Sequence, residues 1–278
     1  MSLEGKTAIM FGAGAIGKSI ANSLVAEGMN LVVVSRETTD RTPSSQILVD
    51  SLGEKDGQRF TTHLADAGDF EGVGGVYAFA EKEFGHVHLV VNGSGGNRKE
   101  AVVVPDNPYE LIDPSVSSEM MDANYFAKVH SIKHYVQHLK RLGKEGHVVN
   151  ITSMAGLTPL SKVVDYGAAY AAAENLTKSM GAYLGQQGLG SVNNIAVGFI
   201  VGDQNRALMY NPDGSMSPRG KEILDNIADG RFLNENELGP KVAFLADRDK
   251  SSGINGCTIR VDGGFGIISL AGTSGYRD

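Results

Sequence analysis

Gly12-Ala13-Gly14-Ala15-Ile16-Gly17-Lys18-Ser19 follows the apolar run Thr7-Ala8-Ile9-Met10-Phe11 and opens a stretch with helical periodicity. Its glycines satisfy G-x-G-x-x-G, the dinucleotide fingerprint, and the same eight residues satisfy G-x-x-x-x-G-K-S, the phosphate loop of nucleotide hydrolases. Both patterns use one device. Glycines let phosphate oxygens approach the backbone, and the helix N-terminus offers N–H groups and positive potential. Phosphate binding at Gly12, Gly14, Ala15, Ile16 and Gly17 is therefore expected, the plainer reading being a strand–helix turn without ligand.

More distant residues choose between the two ligands. A phosphate-loop hydrolase needs an Asp closing a second apolar strand to hold magnesium. The apolar runs here end in Val34-Ser35-Arg36, in Asn92 and in Asn150-Ile151-Thr152-Ser153; only Arg260-Val261-Asp262, late in the chain, comes close. A hydrolase stays a remote alternative. In a dinucleotide fold the end of the second strand faces the adenine ribose, where an acid accepts from a 2′-hydroxyl and an arginine accommodates a 2′-phosphate. Ser35-Arg36 favours NADP, with NAD as the alternative; the plainer reading of Arg36 is a solvated loop side chain.

Short β-branched runs at 7–11, 31–34, 59–63, 88–92, 147–152, 192–197 and 257–261 alternate with helix-period stretches at 17–27, 70–84, 117–142, 165–185 and 235–245. Such alternation predicts an α/β fold, a Rossmann-type doubly wound parallel sheet of about seven strands, as a single domain over 1–278. Two long segments, 96–116 and 199–232, each follow a strand. Both are expected above the carboxyl edge, the second as a substrate lid.

Composition narrows the function classes. Glycine is 36 of 278 residues with only 8 prolines and no collagen-like period, so the surplus is positional, not fibrous. The net charge of −7 argues against nucleic-acid or membrane partners. A single cysteine, Cys257, rules out an internal disulfide framework and any multi-cysteine metal site. The opening Met-Ser-Leu-Glu-Gly-Lys has no signal-peptide character, and a cytoplasmic setting is expected.

Further motifs carry a family resemblance over nearly the whole chain. Leu64-Ala65-Asp66-Ala67, Asn92-Gly93-Ser94-Gly95, Asn124, Asn150-Ile151-Thr152-Ser153, Tyr166 at 13 residues beyond Ser153, and Val261-Asp262-Gly263-Gly264 occur in the order seen in short-chain dehydrogenases/reductases. The chain resembles that family. Gly198-Phe199-Ile200, 204–219, Gly230-Arg231-Phe232 and Thr158-Pro159-Leu160-Ser161-Lys162 resemble its fructuronate reductase/D-mannonate oxidoreductase-like branch. The resemblance implies hydride transfer between a nicotinamide cofactor and a hydroxyl or ketone of a sugar acid or similar polyol. It implies cofactor contacts at Ser35, Arg36, Asp66, Ala67, Asn92, Gly93, Ser94, Gly198 and Ile200. It assigns Ser153 to orient the substrate oxygen, Tyr166 to transfer the proton and Asn124 to a water relay. It also implies a homo-oligomer, dimer or tetramer.

One departure cuts against catalysis. The family places a lysine four residues after its tyrosine, and here that position is Tyr170. Free tyrosine ionises near 10, and a nearby cation normally lowers it. Without one, Tyr166 is expected to keep a high pKa, unless Lys128 or Lys162 enters the site; the plainer reading of both is a solvated surface lysine. A non-catalytic NADP-binding sensor or partner module is the alternative function. The family's Pro-Gly after the sixth strand is Val197-Gly198, and its Thr is replaced near Gly202-Asp203.

His130, His134 and His138 form an i, i+4 stripe, expected to be an oligomer interface or solvated rather than a metal site; no metal is expected. Arg206 and Arg219 could clamp a carboxylate, as could the residues Asn97, Arg98 and Lys99. For each, an exposed loop residue is the plainer reading.

Overall fold

A computed structural model describes residues 2–39, 41–202 and 205–267. Seven parallel strands are ordered β3-β2-β1-β4-β5-β6-β7. They are β1 (Thr7–Phe11), β2 (Asn30–Ser35), β3 (Phe60–Leu64), β4 (Leu89–Asn92), β5 (Gly146–Ser153), β6 (Gly190–Val197) and β7 (Thr258–Val261). The helices are α1 (Ala15–Ala26), α2 (Ser44–Leu52), α3 (Phe70–Phe84), α4 (Pro114–Met121), α5 (Ala127–Leu142), α6 (Val164–Gln186), α7 (Arg206–Met209), α8 (Pro218–Asp225) and α9 (Gly239–Ala246).

β1, β2 and β4 are buried on both faces, so their sequences read as apolar runs without alternation. Alternate residues nevertheless serve different cores. Ala8, Met10, Leu31, Val33, Leu89 and Val91 pack with Ile20, Leu24 and Leu48 on one side, together with Leu238, Val242 and Leu245. Ile9, Phe11, Val32, Val34 and Val90 pack with Val73, Val76, Tyr77, Ile132, Tyr135 and Leu139 on the other. A third, smaller cluster joins Met154 to Met209, Ile223, Ile227 and Phe265, with Phe199, Tyr210 and Phe232 against it. It packs residues of the long segment after β6 onto the turn after β5.

Local signals explain some of the helix ends. Asp69 caps α3 by accepting from the Glu71 N–H at 3.2 Å, and Gly85 ends it at φ 72°. Asp113 caps α4 by accepting from the Ser115 N–H at 2.8 Å, with Pro114 in its first turn. Two expectations need correction. The stretch 117–142 is not one helix, because α4 and α5 are joined by a π turn, Asp122–Phe126. The helices α2 and α8 were also not expected; both are short and lie in polar surroundings of the sequence.

A buried polar chain ties the sheet to α6. Asn92 donates to Asn150 at 2.8 Å, Asn150 to Thr177 at 2.8 Å and Thr177 to Asn194 at 2.6 Å. Glu174 accepts from Thr152 at 2.7 Å and also from Thr258. Buried polar groups of this kind are tolerated because they bond one another. They lock α6 against β4–β7.

Candidate active site

The strand order reverses direction between β1 and β4, whose last residues Phe11 and Asn92 are register partners. Ligand crevices of open α/β sheets lie at the carboxyl end of such a switch point. The glycines there allow two loops to touch. Gly12 has φ 106°, and a Cβ on it would lie 2.9 Å from the Gly93 carbonyl carbon and oxygen. A Cβ on Gly17 would lie 2.5 Å from the Gly12 oxygen, which seats α1 under the loop. Gly14 differs: nothing lies within 4 Å of its Cβ direction, and it heads α1 with no side-chain cap and no acid in the first turn. This open, donor-bearing edge fits a dinucleotide phosphate.

It does not fit a magnesium–triphosphate site. Lys18 is exposed, whereas Ser19 is buried and its Oγ accepts from the Gly239 N–H at 3.2 Å. Ser19 is thus part of the α1–α9 packing, and the phosphate-loop alternative is corrected on that ground.

Around the crevice, Arg36 is exposed at the end of β2, beside Ser35, whose hydroxyl is taken up by Ser45 at 2.8 Å. Asp66 follows β3 and accepts from the Gly68 N–H at 2.9 Å, while Ala67 is buried beneath it. Asn92 is buried, with its Oδ1 unpartnered among the described residues. Gly93 is exposed and Ser94 half-buried. Gly198 is forced by close approach, since a Cβ would sit 2.6 Å from Asp262 Cα. Ile200 is half-buried and its carbonyl accepts from Asn205 at 2.8 Å. Asp203 and Gln204 lie outside the described residues.

β5 delivers Ser153, which caps the 3-10 turn Met154–Gly156 by accepting from the Ala155 N–H at 3.2 Å. α6 crosses this turn at very short range. A Cβ on Gly156 would lie 2.8 Å from the Tyr170 carbonyl carbon, and one on Gly167 3.0 Å from the Ala155 oxygen. That approach brings Tyr166 to Ser153. The Tyr166 hydroxyl interacts with those of Ser153 and Tyr170, and the Tyr170 ring meets that of Tyr166 edge-on at 4.8 Å and 78°. Burial pushes the Tyr166 pKa up, and the bonds from Ser153 and Tyr170 pull it partly back. Tyr170 is held well above the ordinary tyrosine value, by burial first, then by Tyr166.

The π turn places Asn124 beneath the loop after β4. Its Oδ1 accepts from the Gly96 N–H at 2.8 Å, and its Nδ2 donates to the Gly96 and Met120 carbonyls at 3.0 and 2.9 Å. The two bonds to Gly96 fix this loop, and the bond to Met120 anchors the amide to its own helix. One turn on, Lys128 is buried completely. Its Nζ donates to the Ser94 carbonyl at 3.3 Å and lies 5.2 Å from the Tyr170 ring centroid. Burial lowers its pKa to about 7. The expectation of a solvated Lys128 is therefore corrected. It could have been suspected from the helix period, since Lys128 falls on the same face as Ser131, Ile132 and Tyr135, all buried. Lys162 is exposed, as expected.

The outer residues are more dispersed. Arg98 pairs with Glu119. Asp165 accepts from Ser117 at 2.7 Å and from Tyr109 at 3.5 Å, tying 96–116 to the start of α6. Arg206 lies 5.3 Å from the Tyr210 ring centroid, and the Arg219 Nε is buried without a partner among the described residues. Of the histidine stripe, expected at an interface or in solvent, only His138 is buried, while His130 and His134 stay half-exposed beside α3: His134 bonds the Phe70 carbonyl at 2.9 Å, and His138 bonds Glu81 at 2.8 Å. Among the described residues no group of three or more His, Cys, Asp or Glu is placed to hold a metal, and no helix is long and apolar enough to cross a membrane.

Comparison with known proteins agrees with this geometry. Residues 6–211 match the model of the short chain dehydrogenase family. An uncharacterized oxidoreductase of Haemophilus influenzae is 30% identical, covering 96% of this chain and 95% of its own. The 2-dehydro-3-deoxy-D-gluconate 5-dehydrogenase of Escherichia coli is 28% identical, covering 95% of this chain and 96% of its own. A solved structure of a provisionally assigned D-mannonate oxidoreductase from Haemophilus influenza, with bound NAD, superposes with TM-score 0.84 at 28% identity. It covers 96% of this chain and 97% of the other.

Proposed function

The chain belongs to the short-chain dehydrogenase family, and from that premise we propose that it is an NAD(P)-dependent oxidoreductase acting on a hydroxyl or ketone of a sugar acid. One observation carries the reading: Ser153 and Tyr166 come from different elements yet share a hydrogen bond beside the glycine crevice. The two named relatives, one acting on a deoxy sugar acid and one assigned to mannonate, support the substrate class. The Arg219 Nε, buried without a partner among the described residues, supports a carboxylate-bearing substrate.

Gly12, Gly14, Ala15, Ile16 and Gly17 would hold the dinucleotide phosphates, with Asp66 and Ala67 near adenine and Gly93, Ser94, Gly198 and Ile200 along the crevice. Arg36 would receive a 2′-phosphate, so NADP is proposed over NAD. The dinucleotide, when bound, supplies or accepts the hydride. Tyr166 holds or gives the proton at its Oη as the substrate oxygen changes between hydroxyl and carbonyl. Ser153 donates to the same substrate oxygen and orients it. Asn124 keeps Gly96, and with it the loop after β4, fixed beside the crevice.

The proposal is tested by following NADPH and NADH at 340 nm with a panel of keto-sugar acids, alongside Tyr166→Phe. Turnover by the wild type and its loss in Tyr166→Phe is the expected result. Tyr170 in place of a lysine favours a second reading, a dinucleotide-binding module without turnover. That reading predicts NADPH binding, no turnover in the wild type, and turnover on introducing Tyr170→Lys. A homo-oligomer is also proposed, with light scattering of the purified chain as its test.

A further inference from the structure

A buried tyrosine is a poor proton acceptor near neutral pH unless positive charge reaches it. Tyr166 is such a residue. Among the described residues no arginine or lysine bonds its hydroxyl; its neighbours there are Ser153 and Tyr170. Yet a fully buried lysine, whose amine is charged below about pH 7, lies one residue further away. Lys128 is the only lysine or arginine that is buried among the described residues. It forms no ion pair with a described carboxylate, and burying such a group is costly. A leucine would fill the same space without that cost. The Lys128 ammonium faces the ring of Tyr170 at 5.2 Å, a cation–π distance. The Tyr170 hydroxyl in turn lies beside Gly95 and Asn124, 2.9 Å from where a Gly95 Cβ would be.

We propose that Lys128 supplies the positive charge of this site through Tyr170: its ammonium polarises the Tyr170 ring, and the Tyr170 hydroxyl, donating to Tyr166, stabilises negative charge on the Tyr166 oxygen. The inference rests on the oxidoreductase reading for its catalytic meaning. Lys128 is a positioning residue here, since it touches Tyr170 and not the reacting atoms. A cation above a phenol ring makes its O–H a stronger donor, and a stronger donor favours phenolate in the acceptor. The charge thus arrives from α5 instead of α6. Three titratable groups form the cluster: Lys128, Tyr170 and Tyr166. The neighbouring carboxylates are engaged elsewhere, Asp165 with Ser117 and Tyr109, and Glu174 with Thr152 and Thr258.

The test compares Lys128→Met, Tyr170→Phe and the double variant Lys128→Met/Tyr170→Lys in the full chain. Turnover with the panel above is measured from pH 6 to 10, with NADPH affinity by fluorescence and thermal melting as controls. Lys128→Met is expected to lose about 100-fold in kcat with little change in KM, and to move the pH–rate profile upward. Tyr170→Phe, which removes one oxygen, is expected to move it the same way. The double variant, which returns the charge on α6, is expected to recover most of the loss. A pH profile left unmoved by Tyr170→Phe overturns the proposal, even if Lys128→Met does not fold. So does a kcat loss in Lys128→Met that the double variant does not restore. Should the wild type turn over no substrate, the oxidoreductase reading fails separately. The tyrosinate absorbance at 295 nm then decides, with the Tyr166 contribution identified by difference against Tyr166→Phe. Its ionisation moving upward in both Tyr170→Phe and Lys128→Met supports the charge path, and an ionisation unmoved in Lys128→Met overturns it.

Discussion

Gly12 and Gly93 meet at the head of β1 and β4 so closely that a single methyl group on Gly12 would lie 2.9 Å from the Gly93 carbonyl. Gly12 also has φ 106°, which L side chains rarely adopt. Gly12→Ala is expected to destabilise the fold by about 1–3 kcal/mol, from backbone strain and the clash together. Gly14→Ala meets nothing within 4 Å at φ −77° and is expected to melt as the wild type does. If phosphate lies against Gly14, that variant still loses dinucleotide affinity. Thermal melts and fluorescence titrations with NADPH separate the two effects.

Arg36 is exposed at the tip of β2. Arg36→Ala is expected to weaken NADPH binding by about tenfold or more, as the loss of a charge-assisted contact implies, and NADH binding much less. Equal losses for both dinucleotides would remove the 2′-phosphate role.

Among the described residues Arg219 has one buried Nε without a partner. Arg219→Met is expected to raise KM for keto-sugar acids by about tenfold, the scale of one charged hydrogen bond, while leaving a neutral keto-sugar unaffected. A parallel rise for the neutral analogue would count against a carboxylate clamp.

Gly181 brings α6 against the loop before β7, where its Cβ would lie 2.7 Å from the Gly256 backbone. Gly181→Ala should cost about 1–3 kcal/mol by overpacking. Urea melts would read this as a lower midpoint at unchanged slope.

Acid should destabilise the protein in two stages. Burial, then neighbouring positive charge, lowers His88 and His147 to about 4. Their unfolded forms take up protons near 6.5, so the stability gained from keeping them neutral is full above that value and is lost as pH falls to about 4. Glu81 is lowered to about 2, by Arg141 first and with a further contribution from His138. Its contribution is present above the usual carboxylate value and is lost as pH falls towards about 2. Urea melts at pH 7, 5.5 and 4.5 should fall in midpoint, and His147→Gln should flatten that fall.

The linear chain determined the architecture because local rules carried it. Apolar runs of strand length, glycine at Gly12 and Gly17, and caps such as Asp69 need little beyond their neighbours to be read. Seven strands and the spacing of Ser153 to Tyr166 were legible for that reason, as was the loss of lysine at Tyr170. Tertiary structure decided what those residues face. Ser19 reads as a phosphate-loop serine until α9 is seen to occupy its hydroxyl. The histidines of α5 read as a surface stripe until His138 is seen buried against α3. Lys128 reads as a solvated lysine, because charge predicts exposure. Only the packing of α5 under Ser94 and Tyr170 turns it into a buried cation. Sequence separation hides such contacts: Tyr170 and Lys128 lie on different helices, and their distance is set by how both pack on the sheet.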